Sequence, residues 1–229
     1  QRAVAGDHRV CRALIGRAAS CDHIGGHRPR RSGKPDQRGF FGGFGRTSPR
    51  DLTGMTHFSF WINPDAGQEY TLEINLQEDD NSDGAANPAD DDEFQYNCVV
   101  SPTGPCAVSG GGWQRVSIPL ADFFDDNSFL TGGNGVLDPV SVPNGGNGQL
   151  INVVWAVIGN SGSDATFRTD YWTFSDEPVD NSLLIDDFDS EPYLWESSDG
   201  VTLSYLGLAA DDPRALPGQV TFEGVLQVD

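Results

Sequence analysis

The segment 79–90 (DDNSDGAANPAD) carries oxygen-bearing side chains at the spacing of a calcium loop. Asp79, Asn81, Asp83, Gly84 and Asp90 fall on loop positions 1, 3, 5, 6 and 12. A hard cation needs several oxygens at once, and clustered carboxylates supply them. Position 12 is Asp rather than Glu, Pro88 sits inside the loop, and strand-like segments flank it. A helix–loop–helix site is therefore excluded. Two readings remain: a structural calcium site in a loop between strands, or a solvated acidic turn.

A second pattern suits uncharged, hydroxyl-rich ligands. Sugars are held by flat aromatic faces and by fixed hydrogen-bonding side chains. The segments 56–62 (THFSFWI), 69–77 (EYTLEINLQ) and 93–100 (EFQYNCVV) alternate with period two, as strands do. If Phe58, Phe60, Ile62, Tyr70, Leu72 and Ile74 face a core, one opposite face carries His57, Ser59, Trp61, Thr71, Glu73, Asn75, Gln95 and Asn97. Trp155, on a later strand, is a further candidate for that face. This is the make-up of a shallow glucan groove. It is also that of a solvated sheet face with Trp61 covered by a loop.

Cys98 and Cys106 bracket VVSPTGP, whose prolines and glycine make a tight turn. A disulfide between them would close a small loop worth about 2–3 kcal/mol and imply export. The alternative is two small unpaired core residues. Cys11, Cys21, His23 and His27 fit no zinc-finger spacing. No nucleophile elbow, phosphate loop or zinc-protease motif occurs, and His57 stands alone. Acid pairs arise by chance at this composition, so no glycosidase pair is singled out. The expectation is a protein that is not an enzyme.

The elements that must position these residues are strands. The chain has 229 residues, enough for one large β domain, with 28 Gly and 14 Pro arguing against a mostly helical protein. Further strand-like runs are 113–120, 151–158, 166–174, 183–188, 201–206 and 220–228. Gly-rich turns separate them, notably GGNG at 132–135 and 145–148. Many such strands mean an all-β sandwich with few or no helices. The longest apolar run, 151–158, is too short to span a bilayer. The N-terminus lacks the apolar segment of a signal peptide, so the chain would begin downstream of one if one exists.

The net charge is −20, which repels nucleic acid and anionic membranes. It is unevenly spread. Residues 1–50 hold ten Arg, one Lys and three Asp, a net of +8, whereas 51–229 hold three Arg and 31 acids, a net of −28. The segment 1–38 is read either as a disordered basic arm for an acidic partner or as non-native sequence.

The ordered segments GGFGR (42–46), DLTGMTHFSFWI (51–62), GWQRVSIPLADF (112–123) and FRTDYWTF (167–174) carry a family likeness. Over about 39–175 the chain resembles a galactose-binding-like jelly roll of the family 11 carbohydrate-binding-module type. It is also similar to the complex I intermediate-associated protein 30 group, which shares that fold. LIDDFDS (184–190) resembles the opening motif of such a module, and VLQVD (225–229) the strand that precedes its GGFGR element. The resemblance thus implies a module at 39–175 lacking its own first strands, a linker at 176–182, and the first strands of a following repeat at 183–229. That last segment could complete the sandwich, within the chain or between chains. The resemblance also carries over Asp170, with Asp186 and Asp187 of the opening motif, as candidates for a structural calcium near the module's ends.

The implied function is non-catalytic binding of a β-glucan-like polysaccharide by a module of a secreted protein. Its parent is a candidate glucanase, and its location is extracellular or at the cell surface. Polysaccharide and neighbouring repeats are the expected partners, with no nucleic acid and no membrane insertion. The alternative is a structural or adhesive tandem repeat that binds no sugar. A protein-binding chaperone-like module is a third reading, opposed by the acidity and the expected disulfide.

Overall fold

The alternating segments fold as strands. The computed structural model describes residues 41–101, 111–125, 129–141, 146, 148–159, 165–176, 182–189, 195–198, 200–209, 211–212, 214–216 and 222–229. The strands are β1 (Phe41–Arg50), β2 (His57–Pro64), β3 (Tyr70–Glu78), β4 (Glu93–Val100), β5 (Gln114–Pro119), β6 (Phe124–Asp125), β7 (Leu150–Gly159), β8 (Phe167–Ser175), β9 (Ser182–Asp186), β10 (Glu196–Ser198), β11 (Leu203–Ala209) and β12 (Phe222–Val228). A 3₁₀ turn at Leu120–Asp122 is the one helical element among the described residues. None of their helices is long and apolar enough to cross a membrane. The basic segment 1–38, Cys106 and 177–181 of the linker lie outside the described residues.

Two antiparallel sheets make an all-β sandwich. The first runs β10-β1-β7-β3-β4-β6 and the second β11-β12-β8-β2-β5. Apolar residues at every second position give each sheet one apolar face, and the two faces close on each other. Phe58, Phe60 and Ile62 of β2 and Leu72, Ile74 and Leu76 of β3 are fully buried. Trp155 of β7 and Trp172 of β8 meet across the interface with ring centroids 4.2 Å apart. Phe60 packs edge-on against Trp155 at 4.8 Å.

The C-terminal segment belongs to this same core. Trp195 lies 4.5 Å from Trp172 and 5.9 Å from Phe44 of β1, centroid to centroid. Strand β10 pairs with β1, while β12 and β9 both pair with β8. Because β2 takes one edge of β8, these two share the other: β12 at Phe167–Thr169 and β9 at Trp172–Ser175. Between them β8 carries an extra residue against β2, and Tyr171 takes a left-handed φ of 52°. Asp186, at the end of β9, ties the segment down. It accepts from Arg46 Nη1, from Trp195 Nε1 at 2.9 Å and from the Phe188 amide at 2.9 Å.

Candidate metal centre and polar sheet face

The hairpin of β3 and β4 places its chemistry by phase. On β3 the inward positions run Tyr70, Leu72, Ile74, Leu76, and the next is Glu78. On β4 the inward Phe94 is preceded two residues earlier by Asp92. The register pairs Gln77 with Glu93, so Glu78 and Asp92 stand side by side at the end of the sandwich. Ligating oxygens of Glu78, Asp80 and Asp92 all lie within 4.8 Å of one another, the one such group among the described residues. Glu78 and Asp92 are buried, at 2% and 0% exposure.

Each carboxylate has one oxygen held by a donor and one left over. Glu78 Oε2 accepts from the Asp138 amide at 3.0 Å. Asp80 Oδ1 accepts from Asn134 Nδ2 at 2.8 Å. Asp92 Oδ2 accepts from the amides of Asn134 and Gly135 at 2.8 and 2.6 Å. Glu78 Oε1, Asp80 Oδ2 and Asp92 Oδ1 are buried without a hydrogen-bond partner, as is Oδ1 of Asp138. Unpaired buried carboxylate oxygens are costly. Burial, reinforced by Asp80 and Asp138, pushes Glu78 up to about 9. Burial, then Asp92 and Asp138, pushes Asp80 up to about 7. A cation in their midst would remove both penalties. The cluster can hold a metal ion.

The residues expected to form the calcium loop bond mainly to nearby amides. Asp79 is buried and spends both oxygens on the amides of Asp83 and Gly84, at 3.0 and 2.8 Å. Asn81 Oδ1 accepts the Asp83 amide. Asp83 accepts from the Ala85 amide and from Asn87 Nδ2. Asp91, buried, likewise holds the amides of Asp80 and Asn87. Asp90 is exposed at the loop's rim. Asp170 is buried on β8 and accepts the Tyr171 amide, and Asp187 accepts the Asp189 amide at 3.3 Å. The expected partner of these two, Asp186, is occupied by Arg46 and Trp195. Glu78, Asp80, Asp92 and Asp138 were not among the expected ligands. The missed signal was an acid continuing the inward phase of an apolar strand.

The eight residues expected on one sugar face do not share one. Alternation tells which residues share a side of a strand, not which sheet the strand joins. The chain crosses between sheets after β2, so His57, Ser59 and Trp61 lie on the outside of the second sheet. There Ser59 is buried and its hydroxyl donates to Ser117 Oγ at 2.9 Å. Trp155 points into the core and is fully buried. Glu73, Asn75, Gln95 and Asn97 do come together, on the outer face of the first sheet, where Glu73 pairs with Asn97 and Asn75 with Gln95.

That face extends to residues not anticipated. Gln77 lies opposite Glu93 on one side and Asn152 on the other. Asn152 Nδ2 donates to Gln77 Oε1 at 2.8 Å, and Gln77 Nε2 donates to Glu93 Oε2 at 2.5 Å. Asn75 Nδ2 donates to Glu73, and Gln95 Nε2 to Asn97. Two amide oxygens in this network, Asn75 Oδ1 and Asn152 Oδ1, are buried without a partner. At the sheet edge Phe124, in register with Gln95, is 47% exposed. Cys98, buried in β4, is disulfide-bonded to a partner outside the described residues.

No protein-family model and no curated protein matches this chain.

Proposed function

We propose that this chain is a non-catalytic module that binds a neutral polysaccharide of the β-glucan class on the outer face of its first sheet, with a calcium ion bracing the end of the β3–β4 hairpin. The observation that carries the reading is the amide network across β3, β4 and β7. Asn75 Oδ1 and Asn152 Oδ1 are acceptors in want of donors, and sugar hydroxyls are donors. The fixed side chains around them limit the ordering cost of binding. Phe124 offers an exposed ring at the rim, suited to stacking against a pyranose. Glu73 and Glu93 make the face acidic, which disfavours anionic polymers. In this reading the module is secreted, acts outside the cell, and holds a partner domain at high local concentration on an insoluble polymer.

Affinity electrophoresis in gels containing mixed-linkage glucan, laminarin or cellulose tests it. The chain should be retarded by at least one polymer. Asn75→Ala and Asn152→Ala should each weaken retardation by about tenfold, as loss of a hydrogen bond near 1.4 kcal/mol would. Trp61→Ala, on the other sheet, should change nothing. Absence of retardation on every polymer would favour a structural spacer.

A further inference from the structure

We infer that Asp138 joins Glu78, Asp80 and Asp92 in one calcium-class cation site, and that the ion acts as a clasp fastening the 129–141 strip to the β3–β4 hairpin. This rests on the cation reading above and is independent of the sheet face.

The strip is seated by buried Leu130, by Leu137 against the core and by the Leu52 amide on the Pro139 carbonyl. It crosses the end of the sandwich mostly as irregular backbone, and its apolar Val136 is 56% exposed. Its remaining polar attachments converge on the acids. Thr131 bridges to Asp92 and its amide donates to the Pro88 carbonyl at 3.0 Å. Asn134 binds both Asp80 and Asp92, Gly135 binds Asp92, and Asp138 binds Glu78 through its amide. The strip thus supplies the donors that fix one oxygen of each hairpin carboxylate. The other oxygens, buried and unpartnered, stay available, and the strip adds a fourth through Asp138 Oδ1.

Four carboxylates concentrate negative charge where no Arg or Lys among the described residues donates to them. The described arginines with ion pairs serve Asp186, Asp65 and Asp212 instead. Oxygens of Glu78, Asp80 and Asp92 lie within 4.8 Å of one another, the widest span that two ligands at about 2.4 Å from one ion can have, and Asp138, outside that span, is held beside them by its amide bond to Glu78. Mixed carboxylates from two segments, with waters completing the shell, suit the six to eight oxygens of calcium better than the tight octahedron of magnesium. Close packing shows how closely the strip is seated. A Cβ on Gly133, where φ is 57°, would stand 2.2 Å from the Asp92 carboxyl carbon.

Calorimetric titration of the chelator-treated full chain with calcium chloride, without polysaccharide, tests the proposal. It is paired with hydrogen exchange at the amides of Thr131, Asn134 and Gly135. One ion should bind per chain, magnesium should compete poorly, and those amides should exchange more slowly when calcium is present. Asp138→Asn keeps the main-chain bond to Glu78 but should weaken calcium at least about tenfold. Asp80→Asn, at the more open side of the cluster, should do the same and covers the case in which the first variant fails to fold. No heat and no exchange change with wild-type chain up to millimolar calcium would overturn the cation reading itself. Wild-type affinity in Asp138→Asn, or strip exchange indifferent to calcium, would overturn the clasp alone.

Discussion

The Glu78 amide donates to the Asp92 carbonyl at 3.1 Å, and the two residues carry their carboxylates inward at the end of the same hairpin. Next along each strand, Gln77 and Glu93 are bonded to each other on the opposite face. One pair of strand ends therefore presents acids to the loop side of the sandwich and an amide–carboxylate pair to the polar sheet face. Whatever sets the spacing of Glu78 and Asp92 also sets that of Gln77 and Glu93.

The acids give a distinctive pH dependence. Glu78 and Asp80 are raised from ordinary carboxylate values near 4 to about 9 and about 7. Between those limits the folded chain binds more protons than the unfolded one, so stability falls as pH rises. Melting of the chelator-treated protein should therefore decline in Tm from about pH 5 to about pH 9. Calcium should flatten that decline, and Glu78→Gln should flatten it without calcium. A Tm that climbs over this range in chelator would contradict the assignment.

Gly133→Ala tests how closely the strip is seated on the Asp92 carboxylate. The new methyl meets the Asp92 carboxyl group, and the residue's left-handed φ adds backbone strain. The variant should lose about 1–2 kcal/mol in urea unfolding and most of its calcium affinity. Gly67→Ala has a similar positive φ and open space around its Cβ. It should lose stability only and titrate calcium as the wild type does.

Asp186 is a polar anchor of the C-terminal segment. Asp186→Ala would take the charge partner from the Arg46 guanidinium, 13% exposed, leaving it the Ile185 carbonyl, and would strand the Trp195 indole N–H. A loss of about 3 kcal/mol is expected in denaturant unfolding, as for other partly buried ion pairs broken on one side. Asp186→Asn keeps an acceptor for Trp195 and should lose less. Equal losses in the two variants would show that the charge contributes nothing.

Removing 177–229 should not yield a smaller folded module. The cut frees one whole edge of β8, opens the free edge of β1 and takes Trp195 from Phe44 and Trp172. An unpaired, apolar-backed edge invites self-association. The truncated chain should be insoluble or elute as aggregates in size-exclusion chromatography, whereas a monomer melting cooperatively would refute this.

The sandwich was legible because its strands are half-buried and its apolar residues alternate. The segment 93–100 coincides with β4, and the inward sets of β2 and β3 are as the period-two pattern required. What alternation lacks is long-range information. It cannot tell that β2 and β3, neighbours in sequence, belong to different sheets, and so it merged Trp61 with Asn75. Strands β6 and β10, two and three residues long, are too short to show any period. In the acidic loop, spacing alone favoured Asp79 and Asp83, which have ideal loop positions but bond to nearby amides. Glu78 and Asp92 were within reach through their inward phase. Asp138 had no local signature, because only the fold of the strip brings it to the hairpin.

The indoles of Trp155, Trp172 and Trp195 sit in a row, 4.2 and 4.5 Å between successive centroids, and come from β7, β8 and the C-terminal segment. At such range the electronic transitions of neighbouring rings mix. Circular dichroism of this chain should therefore carry a Trp172–Trp195 contribution that depends on the C-terminal segment being docked. Without any dye or label, loss of that contribution should report when the C-terminal segment comes away.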